Sequence, residues 1–151
     1  MNSFKANADR LAQSLDAALP ALAAIDERAA AEPWAPGKWS RKDVLGHLID
    51  SAANNHQRFV RAQQPGDLHL PPYVQDHWVG VQHYQERTWR DLVELWSAYN
   101  RHLAHILAFI PDSLQGKACT IGAEPTVTLG YLAEDYIDHL WHHLNQIGIT
   151  R

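Results

Sequence analysis

The sequence predicts an all-α protein, a four-helix bundle in which the second and third helices are joined by a connection long enough to cross over the bundle. Two observations support this fold class. Apolar residues recur every three or four positions over four long stretches, and β-type sequence is confined to one short stretch before the last of them. The length of 151 residues fits a single domain, residues 1–151.

The first predicted helix covers residues 3–30. Its apolar positions are spaced by three, four or seven residues: Phe4, Leu11, Leu15, Leu19, Leu22 and Ile25. Pro20 lies within this pattern and is predicted to kink or restart the helix, because proline lacks an N–H group and clashes with the preceding turn. The segment AEPWAPGK follows, and its prolines and glycine predict a loop.

The second helix is predicted to begin after Ser40. Asp43 follows three residues later, as in a capping box. The helix is expected to end near Gln63, where QQPGD follows. Residues 64–87 are ambiguous, because PPY indicates a loop whereas VQDHWVGVQHY has room for one or two helical turns.

The third helix is predicted to begin near Thr88 and to end before Pro111. The next segment, GKACTIGAEPTVTLG, is rich in β-branched residues broken by glycine and proline, which predicts a short β-hairpin. The fourth helix is predicted from Leu129 to Ile147, with Gly148 as its C-terminal signal.

Composition narrows the function classes. The chain is 46% apolar and 20% charged, with a net charge of −4 and a pI near 6.2, so nothing in it recruits nucleic acid or an anionic membrane. No apolar run reaches the roughly 18 residues of a membrane span. The N-terminus lacks the apolar core of a signal peptide, and a single cysteine, Cys119, fits a reducing compartment. We therefore expect a cytoplasmic protein.

The last predicted helix contains three histidines in five residues. Each residue turns a helix by about 100°, so His143 lies about 40° from His139 on the apolar side, whereas His142 lies about 60° away on the polar side. His139 and His143 therefore border the core, and His142 is expected to be exposed. Two imidazoles at positions i and i+4 can share one metal ion.

A third ligand has to come from another helix. His47 borders the apolar stripe of the second helix, beside a polar ribbon formed by Asp43, Asp50, Ser51, Asn54 and Arg58. His102 and His105 on the third helix form a rival pair. Spacing alone leaves this choice open, and it also allows the histidines a purely structural role.

Two motifs extend the comparison beyond spacing. The segment PGKWSRKDVLGHLID, followed about ninety residues later by LAEDYIDHLWHHLNQI, resembles the DinB/YfiT-like family of metal-dependent enzymes. The resemblance covers nearly the whole chain. It implies a four-helix bundle with a long crossover connection and a divalent metal ion held by three histidines. By motif these correspond to His47, His139 and His143, which decides against His102 and His105.

Three neutral imidazoles leave a coordination position open, as in catalytic zinc sites. Zinc is the expected ion, although nickel, manganese and iron also accept imidazole ligands. Asp50 and Asp135 are within helical reach of His47 and His139 and are candidates for accepting their second ring N–H. Asn54 and Arg58 are candidates for holding a polar or anionic substrate group.

Three functions fit these residues. The first is a metal-dependent hydrolase or related small-molecule enzyme, the second a thiol S-transferase that uses a low-molecular-weight thiol, and the third a metal-binding dimeric module without turnover. The last requires a protein side chain in the open coordination position. The chain has no Glu-x-x-His, Cys-x-x-Cys or Gly-x-Ser-x-Gly motif, and no histidine lies near Cys119 in sequence to activate it.

The sequence also predicts a homodimer. Six tryptophans and several amphipathic helices provide more apolar surface than one bundle core requires, and many relatives in the resembled family are homodimers. Sedimentation velocity is expected to show a two-fold dimer. A monomer at every accessible concentration would contradict this prediction.

Overall fold

Polar caps set the starts of the four long helices. The computed structural model describes residues 2–151. Each long helix begins directly after a Ser or Thr whose side chain accepts a backbone N–H from the first turn: α1 (Phe4–Ala24), α3 (Arg41–Arg61), α5 (Trp89–Phe109) and α6 (Leu129–Gln146). The predicted capping box of Ser40 and Asp43 is complete. Gly148 has a φ of 89° after α6, as expected of a C-terminal signal.

The N-terminal helix differs from the prediction. Residues 3–30 form two helices, because the backbone becomes extended at Ile25 and Asp26 caps a short second helix, α2 (Glu27–Ala31). The restart predicted as one outcome at Pro20 does not occur, since α1 continues through this residue. Pro20 and Asp16, whose carbonyl would pair with the missing N–H, both lie on the exposed side of α1.

The long helices form a ring in which α1 and α3 both pack against α5 and α6. Two contacts give the direction of α3 relative to α5. Lys42 at the start of α3 donates to the carbonyl of Arg87 just before α5, and His56 contacts Tyr99 farther along both helices. The two neighbours therefore run parallel, and the chain between them has to return along the bundle. This confirms the long crossover connection.

The crossover connection contains more structure than the sequence predicts. It holds β1 (Leu68–Leu70), α4 (Gln75–Gln82) and a 3₁₀ turn (Tyr84–Glu86). The predicted hairpin is confirmed as β2 (Ala118–Ile121) paired antiparallel with β3 (Val127–Thr128). β1 adds to this hairpin as an unpredicted third strand, parallel to β2, with Leu68 opposite Cys119.

Tyr84 fastens the crossover connection to α3. Its ring fills the space beside Gly46, where an added Cβ would lie only 2.2 Å from Cδ2 of Tyr84. Its hydroxyl donates to Oδ1 of Asp50 at 2.6 Å, and Gln82 Nε2 donates to the same oxygen at 2.6 Å. Glycine at position 46 is therefore required for the connection to lie this close to α3.

None of the helices of residues 2–151 is both long and apolar enough to cross a membrane.

Replacement of Gly46 by Ala is expected to lower the free energy of unfolding. Overpacking against Tyr84 costs about 1–3 kcal/mol, which exceeds the roughly 1 kcal/mol that alanine gains over glycine within a helix. Gly80→Ala in α4 is the matched control, because an added Cβ there has no neighbour within 4 Å. Urea denaturation should show a loss for Gly46→Ala and a small gain for Gly80→Ala. Equal effects would contradict the packing argument.

Candidate metal centre

Three imidazole rings meet between α3 and α6. Nε2 of His139 lies 3.4 Å from Nε2 of His47 and 3.1 Å from Nε2 of His143. The ring pairs meet edge to face, with interplanar angles of 69–75° and centroids 4.5–5.3 Å apart. Among the His, Cys, Asp and Glu side chains of residues 2–151, these three form the group whose ligand atoms all lie within 4.8 Å of one another.

The helix positions account for this convergence. His139 and His143 are separated by one turn of α6 and are half-buried, whereas His142 between them is exposed, as predicted. His47 comes from the buried face of α3 and is 1% exposed. The ring of Trp39, just before α3, lies 5.4 Å from that of His47 and shields it on one side.

The donor set fits a divalent metal ion. Two imidazole nitrogens that each bind a tetrahedral zinc ion at about 2.0–2.1 Å lie about 3.3–3.4 Å apart, close to the distances found here. Nδ1 of His143 lies 2.8 Å from Oε1 of Gln146, which can accept its N–H when Nε2 is a ligand. Nδ1 of His47 is buried and has no hydrogen-bond partner.

Burial keeps the three imidazoles uncharged. Desolvation, reinforced by His143 and His139, lowers the pKa of His47 to about 3. Desolvation, reinforced by His143, His142 and Arg58, lowers the pKa of His139 to about 4. The pKa of His143 is also lowered, mainly by burial. Neutral imidazole is the form that binds a metal ion.

The two carboxylates predicted to support the histidines lie elsewhere. Asp50 accepts from Tyr84 and Gln82 rather than from His47, because its side chain turns toward the crossover connection. Its pKa is raised, mainly by burial. Asp135 lines a cavity next to His139, but its recorded partner is the hydroxyl of Tyr131 at 3.5 Å. Neither carboxylate is hydrogen-bonded to a histidine of the group.

A polar cavity of about 90 Å³ lies beside His139. Arg58 lines it, as the sequence suggests, but Asn54 does not, because its side chain donates back to the carbonyl of Asp50. Ser51, which belongs to the predicted polar ribbon, also lines it, whereas the sequence missed the lining residues Asn55, Tyr73 and Tyr136. Ser51, Asn55 and Arg58 follow helical spacing along α3, which could have indicated a shared face.

The rival side chains lie outside the three-histidine group. His102 and His105 are exposed on α5, where their rings stack on each other and His102 meets His56. Cys119 is buried in the small sheet, and burial raises the pKa of its thiol. A thiol kept protonated is a poor nucleophile.

The bundle topology and the three convergent histidines define the class of protein, and comparisons with known proteins agree. The DinB superfamily matches residues 10–147, and the chain belongs to this superfamily. Its structure is similar to that of YfiT from Bacillus subtilis, with a TM-score of 0.77 and 20% sequence identity over 93% of this chain and 83% of YfiT. YfiT is described as a probable metal-dependent hydrolase with an unusual four-helix bundle topology. At this identity the likeness shows the fold. No curated protein matches the chain.

Lowered histidine pKa values predict that the metal-free protein loses stability in acid. Below about pH 6.5 these histidines bind protons in the unfolded chain, whereas in the folded protein His47 and His139 stay neutral down to about pH 3–4. The free energy of unfolding therefore falls as the pH drops through this window. Urea denaturation between pH 7 and pH 4 should show a shallower fall for His47→Gln. His105→Gln is the control and should keep the wild-type slope. Equal slopes for all three proteins would contradict this prediction.

Proposed function

We propose that this protein is a metal-dependent hydrolase of a small molecule, with one divalent ion held by His47, His139 and His143. The convergence of three neutral imidazole nitrogens at 3.1–3.4 Å carries the proposal. The description of YfiT as a probable metal-dependent hydrolase supports it, since the two proteins share their fold. We propose zinc as the ion, because tetrahedral sites with nitrogen ligands suit it, and nickel, manganese or iron as the alternatives.

The donor set favours a catalytic over a purely structural role. Among residues 2–151 the group has three members, and no fourth His, Cys, Asp or Glu belongs to it. Structural zinc sites have four protein ligands, whereas catalytic sites have three and keep one position for water or substrate. A metal-binding module without turnover would need a protein side chain in that position. Among the described residues, no further His, Cys, Asp or Glu supplies one.

A bound ion of this kind supplies a Lewis acid and an activated water at neutral pH. The protein would contribute neutral ligands, which burial maintains, and a wall formed by Trp39 beside His47. Asp135 is exposed at the cavity next to His139, where its carboxylate would accept a proton. Arg58 and Tyr73 line the same cavity and would orient the substrate.

One observation favours a second candidate, a thiol S-transferase with a low-molecular-weight thiol. Such a cosubstrate requires a cationic or polar pocket near the ion, and the cavity beside His139 contains Arg58. An ion that binds a thiol also favours its thiolate, which is the nucleophile for transfer. Incubation with a panel of electrophiles and a small thiol distinguishes the candidates, since a hydrolase turns over its substrate without thiol and a transferase forms a thiol conjugate.

Metal analysis tests the ligand assignment. The purified protein is expected to bind about one divalent ion per chain. His143→Ala removes one of three ligands and should weaken binding by more than about 100-fold, beyond the effect typical of losing an outer-shell partner. His142→Ala is the matched control on the same helix, because its side chain is exposed, and it should retain the metal.

A contrary pattern would refute the assignment. If His143→Ala keeps stoichiometric metal while His102→Ala loses it, the ion is held by the histidines of α5. If neither wild type nor variants bind a divalent ion, the proposed hydrolase function fails with the assignment.

A further inference from the structure

The polar cavity beside His139 contains a guanidinium with few partners. Arg58 is half-buried, and its recorded hydrogen bond is from Nη1 to Oδ1 of Asn55 at 3.5 Å, the outer limit of such a bond. None of the ion pairs in the described part of the chain includes Arg58. A guanidinium has five N–H donors, so most of those of Arg58 are available to a ligand.

The groups around Arg58 match an anion. The hydroxyls of Ser51 and Tyr73 line the cavity and can donate hydrogen bonds. Asp135 also lines the cavity, but this exposed carboxylate forms no ion pair with Arg58. Burial lowers the pKa of the Arg58 guanidinium, whereas Tyr73, Asp135 and Cys119 act in the opposite direction. A half-buried guanidinium that forms no ion pair favours an oxyanion ligand.

We infer that this cavity binds a carboxylate group of the substrate, with Arg58 as its principal donor. The inference rests on the proposed function. Of the three histidines proposed to hold the ion, only His139 lines this cavity. It narrows the substrate class to small carboxylic acids in which the bond to be hydrolysed lies near the carboxylate. The forked guanidinium binds a carboxylate through two parallel hydrogen bonds, which fixes the orientation of the molecule.

Charge favours a carboxylate over a phosphate. The cavity, with a volume of about 90 Å³, admits a small anion. Asp135 faces the ligand from α6 and repels a second negative charge. A monoanion therefore pairs with Arg58 at a lower electrostatic cost than a phosphate dianion.

Nuclear magnetic resonance of the arginine Nε–H groups tests this inference. The full-length protein is titrated at constant ionic strength with acetate, with its neutral analogue acetamide and with inorganic phosphate. The titration is done on the protein as purified and again after chelation and desalting. Binding that survives metal removal belongs to the cavity, so a failure of the proposed metal function stays separate from a failure of this inference.

Four variants complete the test. Arg58→Gln should weaken acetate binding by roughly tenfold or more, the loss expected for a charge-assisted hydrogen bond. Arg58→Lys keeps the charge without the fork and should give an intermediate affinity, and it serves if the glutamine variant is unstable. Asp135→Asn should tighten binding. Arg61→Gln is the matched control, since Arg61 lies on the exposed face of α3, and it should bind acetate as the wild type does.

The inference is supported if acetate binds better than acetamide and phosphate and the variants follow this order. It is overturned if the wild type binds no acetate in either form, or if acetamide or phosphate binds as well as acetate. Loss of binding in Arg61→Gln equal to that in Arg58→Gln also overturns it, because a general loss of positive charge would then explain the effect.

Discussion

The three imidazoles between α3 and α6 have to remain uncharged, and the arrangement around them depends on this constraint. Nε2 of His139 lies 3.4 Å from Nε2 of His47 and 3.1 Å from Nε2 of His143, so protonation would place like charges side by side in a partly dehydrated site. The lone pairs of neutral rings need a partner, and a divalent cation is the partner that serves all three at once. Burial makes a charged imidazole costly and thus keeps the three rings in the neutral form that binds a metal ion.

The crossover connection completes the site that the long helices begin. Because α3 and α5 are parallel neighbours, the chain between them has to pass along the bundle. Tyr84 packs on Gly46 and donates to Asp50, so the connection lies against the helix that carries His47. The same connection brings Tyr73 to the cavity beside His139. The crossover connection therefore joins the two parallel helices and also forms one wall of the candidate substrate site.

Periodicity predicted most of the fold and nominated His139 and His143, whereas the choice of His47 over His102 and His105 came from the family resemblance. Helical angles placed His139 and His143 beside the core and His142 outside, and the structure agrees because such angles depend only on local geometry. Long-range features were out of reach. β1 was missed because its parallel partner lies about fifty residues away, and no proline or glycine adjoins the break at Ile25. Asp50 and Asn54 were misjudged because helix position does not decide whether a side chain turns to a neighbour or back to its own backbone.

The central claim is that His47, His139 and His143 hold a divalent ion with an accessible coordination position. The visible absorption of the cobalt(II)-loaded protein tests it most directly, because these bands depend on the ligands of the ion. We expect bands that change when a small thiol is added and that are lost in His47→Gln. Bands that are unchanged by the thiol would indicate a closed site without turnover, and bands that persist in His47→Gln would show that the ion is held by other residues.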